Sequence, residues 1–306
     1  MNRLYIVEGI GHMFRTDLAC EARVLAERSC GRLTELEGVR ARRETRAGFA
    51  VETVEILTED GAAKLRRPRG RYVTVELTGM LRREDEAFRA GTAVLAEEIG
   101  KLLQLRPGDG VLVAGLGNEG ITADALGPLT VRHTLVTRHL DREQASLLGL
   151  HRSVAAVETG VSGITGMESA ELIAAVTAET KPDRVVAVDA LASLSAGRIC
   201  RTVQISDTGI IPGSGVGNAR RAINRETLGV PVIALGVPTV VDAAALASEL
   251  AGADPEEAER RLGRSLIVTP REIDEEVRSI GRLLGYALNL ALHDGLTVDD
   301  AAVLLE

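Results

Sequence analysis

Apolar and polar positions alternate along this chain in two rhythms. Over residues 17–32 and 84–105 apolar residues return at helical spacing. The first stretch has Thr16 available as N-cap, and the second is closed by Pro107-Gly108. Between them AVETVEIL (50–57) and YVTVEL (72–77) alternate with period two, which predicts two half-buried strands. The basic, turn-rich EDGAAKLRRPRGR joining these runs predicts a hairpin or adjacent antiparallel strands. The first third therefore reads as α+β.

From Gly110 the rhythm becomes strand, loop, helix. VLVAG (111–115) is a strand, 123–138 mostly helix, and 154–157 a short strand. Residues 167–179 read as a helix with Pro182 beyond its end, and RVVAVD (184–189) as a strand. A further strand is expected over 203–206, and a third clear one in PVIALGVP (231–238). Helices follow over 242–249 and 270–293. Strands separated by helices imply parallel crossovers, hence an α/β fold with a doubly wound, mostly parallel sheet flanked by helices. A chain of 306 residues with 45% apolar content can bury this as one principal domain.

Two of the buried runs lead to carboxylates. RVVAVD ends on Asp189, and VLVAG continues through GLGNEGITAD to Asp124, about 65 residues earlier. A buried strand is a costly place for an unpaired anion. The end of a strand in an open parallel sheet, by contrast, opens onto the binding crevice. A single strand-end aspartate can simply cap the next helix. Two converging on one crevice favour chemistry: a pair can share a proton, one member acting as base and the other as acid. That equipment suffices to activate water against a peptide bond, so the sequence calls for no metal and no cofactor.

Composition narrows the field. The net charge of −8 argues against a nonspecific grip on nucleic-acid phosphates. Aromatic content of 2%, with no Trp, leaves no base-stacking platform and a core of Val, Leu, Ile and Ala. Cys20, Cys30 and Cys200 form neither a CxxC pair nor an even disulfide set, which suits reduced thiols in the cytoplasm. The N-terminus lacks the apolar stretch of a secretory signal, and no run approaches a membrane span, so a soluble intracellular protein is expected.

Other motifs carry less. GLGNEG spells GxGxxG after a strand, but the next helix starts late and no strand ends in an acid about 20 residues on. A nucleotide-binding module remains an alternative; the plainer reading is a tight turn needing small residues. Asp207-Thr208-Gly209 matches the DTG of pepsin-like proteases, which need two such motifs in an all-β frame. The adjoining IIPGSGVGN could offer N–H groups to an oxyanion or a peptide backbone, or be a structural turn. GxSxG and HExxH are absent, and the five histidines show no metal-ligand spacing.

Taken together, VAGLGNEGITADALGP, VAVDALAS, QISDTGIIPGSGVGN and TLGVPVIALGVPTVVDA, running in order between FRTDLACEA and VTPREIDE, resemble the germination protease (spore protease) family of endospore-forming bacteria. The resemblance covers nearly the whole chain. It implies an atypical aspartic endopeptidase, made as a self-processing zymogen, that degrades small acid-soluble spore proteins in the spore core during germination. It also implies a fold related to hydrogenase maturation endopeptidases and a homotetramer. The family's proposed catalytic aspartates carry over onto Asp124 and Asp189, and its maturation cut onto Asp17-Leu18. Residues 1–17 would then be a propeptide and 18–306 one peptidase domain, an α+β portion (18–108) packed on the 109–306 core. Asn118, Asp207 and Ser214 are further candidates for substrate contact. Glu119-Gly120 stand where the family commonly has an aromatic residue after GLGN, so Glu119 could perturb the aspartates or face solvent. A metal-linked maturation endopeptidase is the competing enzyme reading; it needs a nitrogen-bearing ligand near the pair, and none is evident.

Overall fold

All but one of the strands expected in the second half form the parallel heart of a single nine-stranded sheet, seen here in a computed structural model that describes residues 16–29, 36–77, 86–217, 219–252, 254–262, 264 and 266–305. The exception, the strand over 203–206, is antiparallel. In chain order the strands are β1 (Val39–Arg46), β2 (Phe49–Ile56), β3 (Gly70–Glu76), β4 (Val111–Gly115), β5 (Val154–Glu158), β6 (Arg184–Ser193), β7 (Thr202–Ser206), β8 (Val232–Asp242) and β9 (Ile267–Val268). Their spatial order is β1-β2-β3-β7-β8-β6-β4-β5, with β9 on β8. Strands β8, β6, β4 and β5 pair in parallel; β1, β2, β3 and β7 continue the sheet antiparallel. The α+β N-terminal portion thus joins the parallel block edge to edge, through β3 and β7.

The helices are α1 (Ala19–Ser29), α2 (Glu59–Leu65), α3 (Glu86–Leu103), α4 (Leu126–Arg132), α5 (Arg142–Leu147), α6 (Ser162–Thr165), α7 (Ser169–Thr180), α8 (Arg225–Leu228), α9 (Ala243–Ala251), α10 (Pro255–Leu262), α11 (Ile273–Leu292) and α12 (Val298–Leu305). One sheet face carries Val51, Val73, Val113, Val186, Val203 and Leu235, packed under Phe88 and Leu95 of α3 and Leu284 of α11. The other face holds two smaller apolar clusters, Leu112 and Val185 under Ile173 of α7, and Val54 and Tyr72 under α1 and α2. Because side chains alternate along a strand, residues between those of the first cluster point to the second face.

Several expectations change on contact with the fold. Asp189 does not end its strand: β6 runs on to Ser193 beside β8. Its other neighbour, β4, stops opposite Val188, so the crevice opens at Asp189 although β6 continues. The helix expected over 123–138 ends at Arg132, where Leu135 N–H turns away to Asn289 Oδ1 (2.8 Å), a tertiary bond that competes with the helical one. The stretch between β2 and β3 contains α2, capped by Thr58 Oγ1 accepting from Gly61 N–H. β1 escapes a hydrophobic pattern because VRARRETR is an edge strand with mostly exposed or half-exposed side chains. Residues 1–15 of the expected propeptide, with Cys30, lie outside the described residues; Cys20 and Cys200 are buried free thiols. Among the described residues no helix is long and apolar enough to cross a membrane.

His293, just past α11, is 1% exposed, and neither ring nitrogen has a hydrogen-bond partner among the described residues. Burial, followed by the charge of Arg152 and by His151, lowers its pKa to about 4 against the opposing pull of Asp294. The unfolded chain therefore takes up this proton first as pH falls, and stability drops between the ordinary value of 6.5 and about 4. Across that window the loss approaches about 3 kcal/mol. His293→Leu is expected to flatten this part of the stability profile, as read from urea midpoints between about pH 7 and about pH 4. A variant whose acid limb parallels the parent's would show that another group controls it.

Candidate active site

Asp124 reaches the crevice because of how the chain leaves β4. Leu116 N–H donates to Val188 O (2.8 Å), keeping the loop against β6 just before Asp189. Gly117 then takes φ +108°, and a Cβ there would sit 2.0 Å from the Asp124 carbonyl oxygen. Gly115 and Gly127 are equally tight, so GLGNEG and the glycine of ADALGP are used for close backbone approach at a strand-to-helix turn. Asp124 closes a 3₁₀ turn (Thr122–Asp124), and its Oδ2 accepts from Asn118 N–H (2.8 Å).

Asp189 is buried, and its Oδ1 accepts from Ala190 N–H (2.9 Å). Both aspartates line an open cavity of about 320 Å³, together with Asp17, Arg220, Ser162 and Ile211. Burial, then the neighbouring charges of Asp124 and Asp17, hold the Asp189 carboxyl well above the ordinary range. Burial also raises Asp124, but Asn118 N–H and the Arg220 guanidinium oppose the rise. The environments thus separate two like residues: Asp189 keeps a proton more readily than Asp124.

The third acid, Asp17, enters from the opposite end of the chain. Its Oδ2 accepts from Ala192 N–H (2.9 Å), its Oδ1 from Ser214 Oγ (2.6 Å), and its own N–H donates to Ala192 O (3.0 Å). A Cβ on Gly215 would fall 2.0 Å from Asp17 Oδ2, so the glycine leaves room for this carboxylate. On the other side Gln204 Nε2 donates to Asp17 O (2.8 Å), and Arg67 bonds Thr16 O. Leu18 is fully buried and clusters with Cys20, Leu191 and Ile210. The segment 16–19 is therefore anchored from both sides as it bends at Asp17 into α1, with Asp17 in the crevice.

The remaining candidates separate. Ser214 reaches Asp17, as above. The Asn118 side chain accepts from Gly120 N–H (2.9 Å) and shapes the turn that holds Asp124. Asp207 Oδ1 accepts from Arg71 N–H (2.8 Å), tying β7 to the start of β3. Glu119 points out and pairs with Arg132, which also approaches Glu158 at 3.5 Å. Sequence reasoning did not single out Gln204 or Arg220. The signal for Gln204 was an amide inside the buried run TVQIS; Arg220, held by Ser162 Oγ (2.5 Å) and Glu168 Oε1 (2.9 Å), had none. Among the described residues no group of three or more His, Cys, Asp or Glu is placed to hold a metal ion.

A family profile described as Germination protease matches residues 18–252. The germination protease of Caldanaerobacter subterraneus subsp. tengcongensis is 42% identical, covering 99% of this chain and all of that one. That of Clostridium perfringens strain SM101 is 38% identical over 94% of this chain and 97% of its own, and that of Bacillus subtilis 34% over 94% and 96%. Among solved structures, a [NiFe] hydrogenase maturation protease HycI from Thermococcus kodakarensis is similar at 19% identity and a TM-score of 0.36, covering 62% of this chain and 98% of that one.

The buried acid has a cost in stability that can be measured. Folded Asp189 holds its proton to higher pH than the unfolded chain, whose aspartates release theirs near 3.8. Between those values the folded state binds more protons, so stability falls as pH rises. Asp189→Asn removes that ionisation and should gain stability over the uncut parent, more at about pH 7 than at about pH 5, in urea unfolding. An equal difference at both values would mean that folded Asp189 has already lost its proton by about pH 5.

Proposed function

The chain belongs to the germination protease family, and from that premise we propose a self-processing endopeptidase that hydrolyses small acid-soluble spore proteins during spore germination, with water activated between Asp124 and Asp189. The observation that carries this reading is the meeting of Asp17 with both aspartates in one cavity. Asp17, on the N-terminal side of the expected cut, thus lines the cavity that holds the carboxyl pair, which supports this reading. Residues 1–17 act as the propeptide in this reading, the working location is the spore core, and the assembly is a homotetramer.

The asymmetry between the aspartates supports a division of labour. Asp189, more strongly raised, holds the shared proton at rest; Asp124, stabilised as an anion by Asn118 N–H and Arg220, takes a proton from water. The water oxygen bonds to the Asp17 carbonyl carbon and, as the C–N bond breaks, Asp189 gives its proton to the Leu18 nitrogen. The pair then carries the same single proton on the other member and titrates as a unit. Exposed Ile121 and Ile267, with Ile211, rim the same cavity and suit apolar side chains of a protein substrate.

Intact mass of the full chain, followed over time beside Asp124→Asn and Asp189→Asn, tests this. The parent should lose its first 17 residues, and each variant should slow that loss by about 10²- to 10⁴-fold, the range for general acid–base groups. Processing at the parent rate in either variant removes that residue from the mechanism. A parent stably uncut in every buffer tried contradicts the self-processing reading.

A further inference from the structure

We propose that Gln204 is a catalytic residue of self-processing, its side-chain amide polarising the Asp17 carbonyl as water adds to it; this rests on the cut at Asp17–Leu18 proposed above. The amide spans the bond from both sides. Gln204 Nε2 donates to Asp17 O at 2.8 Å, and Gln204 Oε1 accepts from Ala19 N–H at 2.7 Å. The network fixes this orientation, since the flipped amide would set oxygen against oxygen and N–H against N–H.

Strand register brings the amide to the aspartates. Asp189 of β6 lies opposite Gly236 of β8, and Gly236 lies opposite Gln204 of β7. Asp189 and Gln204 therefore flank one glycine in a row across the sheet, about 10 Å apart at the backbone given the usual strand spacing. Alternation points both to the same face, away from the cluster that holds Val188, Val203 and Ile205. A Cβ at Gly236 would come within 2.4 Å of Leu191, whose side chain packs with Leu18 and Ile210. The residue after the cut thereby packs on the side chain that overlies this glycine.

Donor chemistry fits the task. As water adds, the Asp17 carbonyl oxygen becomes an oxyanion, and a buried donor already aimed at it stabilises that charge without reorganising. A neutral amide does so while leaving the proton on Asp189; a cation in its place would draw that carboxyl toward ionisation. Gln204 is 8% exposed on a central strand, so the donor is rigid and largely shielded from water.

Self-processing of the full chain, followed by intact mass as a first-order rate, separates this role from mere anchoring. Asp17 keeps its bonds to Ala192 and Ser214 without the amide, so Gln204→Ala should still dock the segment yet process about 100-fold more slowly, the loss for one oxyanion donor. Gln204→Glu keeps the shape: its carboxylate can accept from Ala19 N–H but donates to the carbonyl only when protonated. Its rate relative to the parent should therefore recover as pH is lowered. Processing of Gln204→Ala at the parent rate overturns the inference, as does a slow Gln204→Glu whose pH profile parallels the parent's. If the parent itself is cut elsewhere or not at all, the reading of the scissile bond fails first, and this inference with it.

Discussion

A carboxylate buried in a β-sheet must find donors, find a counter-ion or keep its proton, because desolvating the free anion costs several kcal/mol. Among the described residues Asp189 has one donor, its neighbour Ala190 N–H, and two nearby acids in place of a counter-ion. It is left with the third course. Much of the local architecture follows from that constraint. β4 stops one residue short of it, leaving a cavity; the loop after β4 is drawn back by Leu116 so that Asp124 faces the same space; Arg220 is held at the cavity on the Asp124 side.

The N-terminal segment answers the same constraint from above. Asp189, Gln204, Thr74 and Glu52 occupy successive registered positions across β6, β8, β7, β3 and β2, with Gly236 between the first two. The chain from Asp17 into α1 crosses this polar row. Ala19 bonds Gln204, and Arg23 pairs with Glu52 at 3.0 Å. Glu21, raised by its burial, accepts from Leu194 N–H and from Thr16 Oγ1. Removing the segment would leave Gln204 and Glu52 without these partners, a penalty that favours the docked state.

Periodicity made the parallel block legible, since β4, β6 and β8 are long apolar runs buried on both faces, and it placed the two aspartates beside the same crevice. It missed what depends on neighbours. β1 carries four arginines and little apolar pattern, so only its pairing with β2 reveals it. The end of β6 was misplaced because a strand's exposure is decided by where the next strand stops, which no local pattern encodes. Gln204 was passed over for the same reason: a lone amide in TVQIS acquires meaning only when residue 17 arrives 187 positions away. Of the residues singled out by motif, Asp207 ties β7 to β3 and Asn118 shapes the turn that holds Asp124.

The charges that the proposed cut would create explain why so many contacts are concentrated on Asp17. Before cleavage, its side chain bears on Asp189 as a like charge, and it is held by two donors. Cleavage adds a second carboxylate at the new chain end, beside an acid already disfavoured by like charge. It also leaves a Leu18 ammonium next to the N-terminus of α1, where the helix dipole disfavours a cation. Both new charges weaken the docked product relative to the uncut segment, while α1 keeps its own bonds to Gln204 and Glu52. Under the proposed cut, these charges favour the intact segment over the cleaved one in the same crevice.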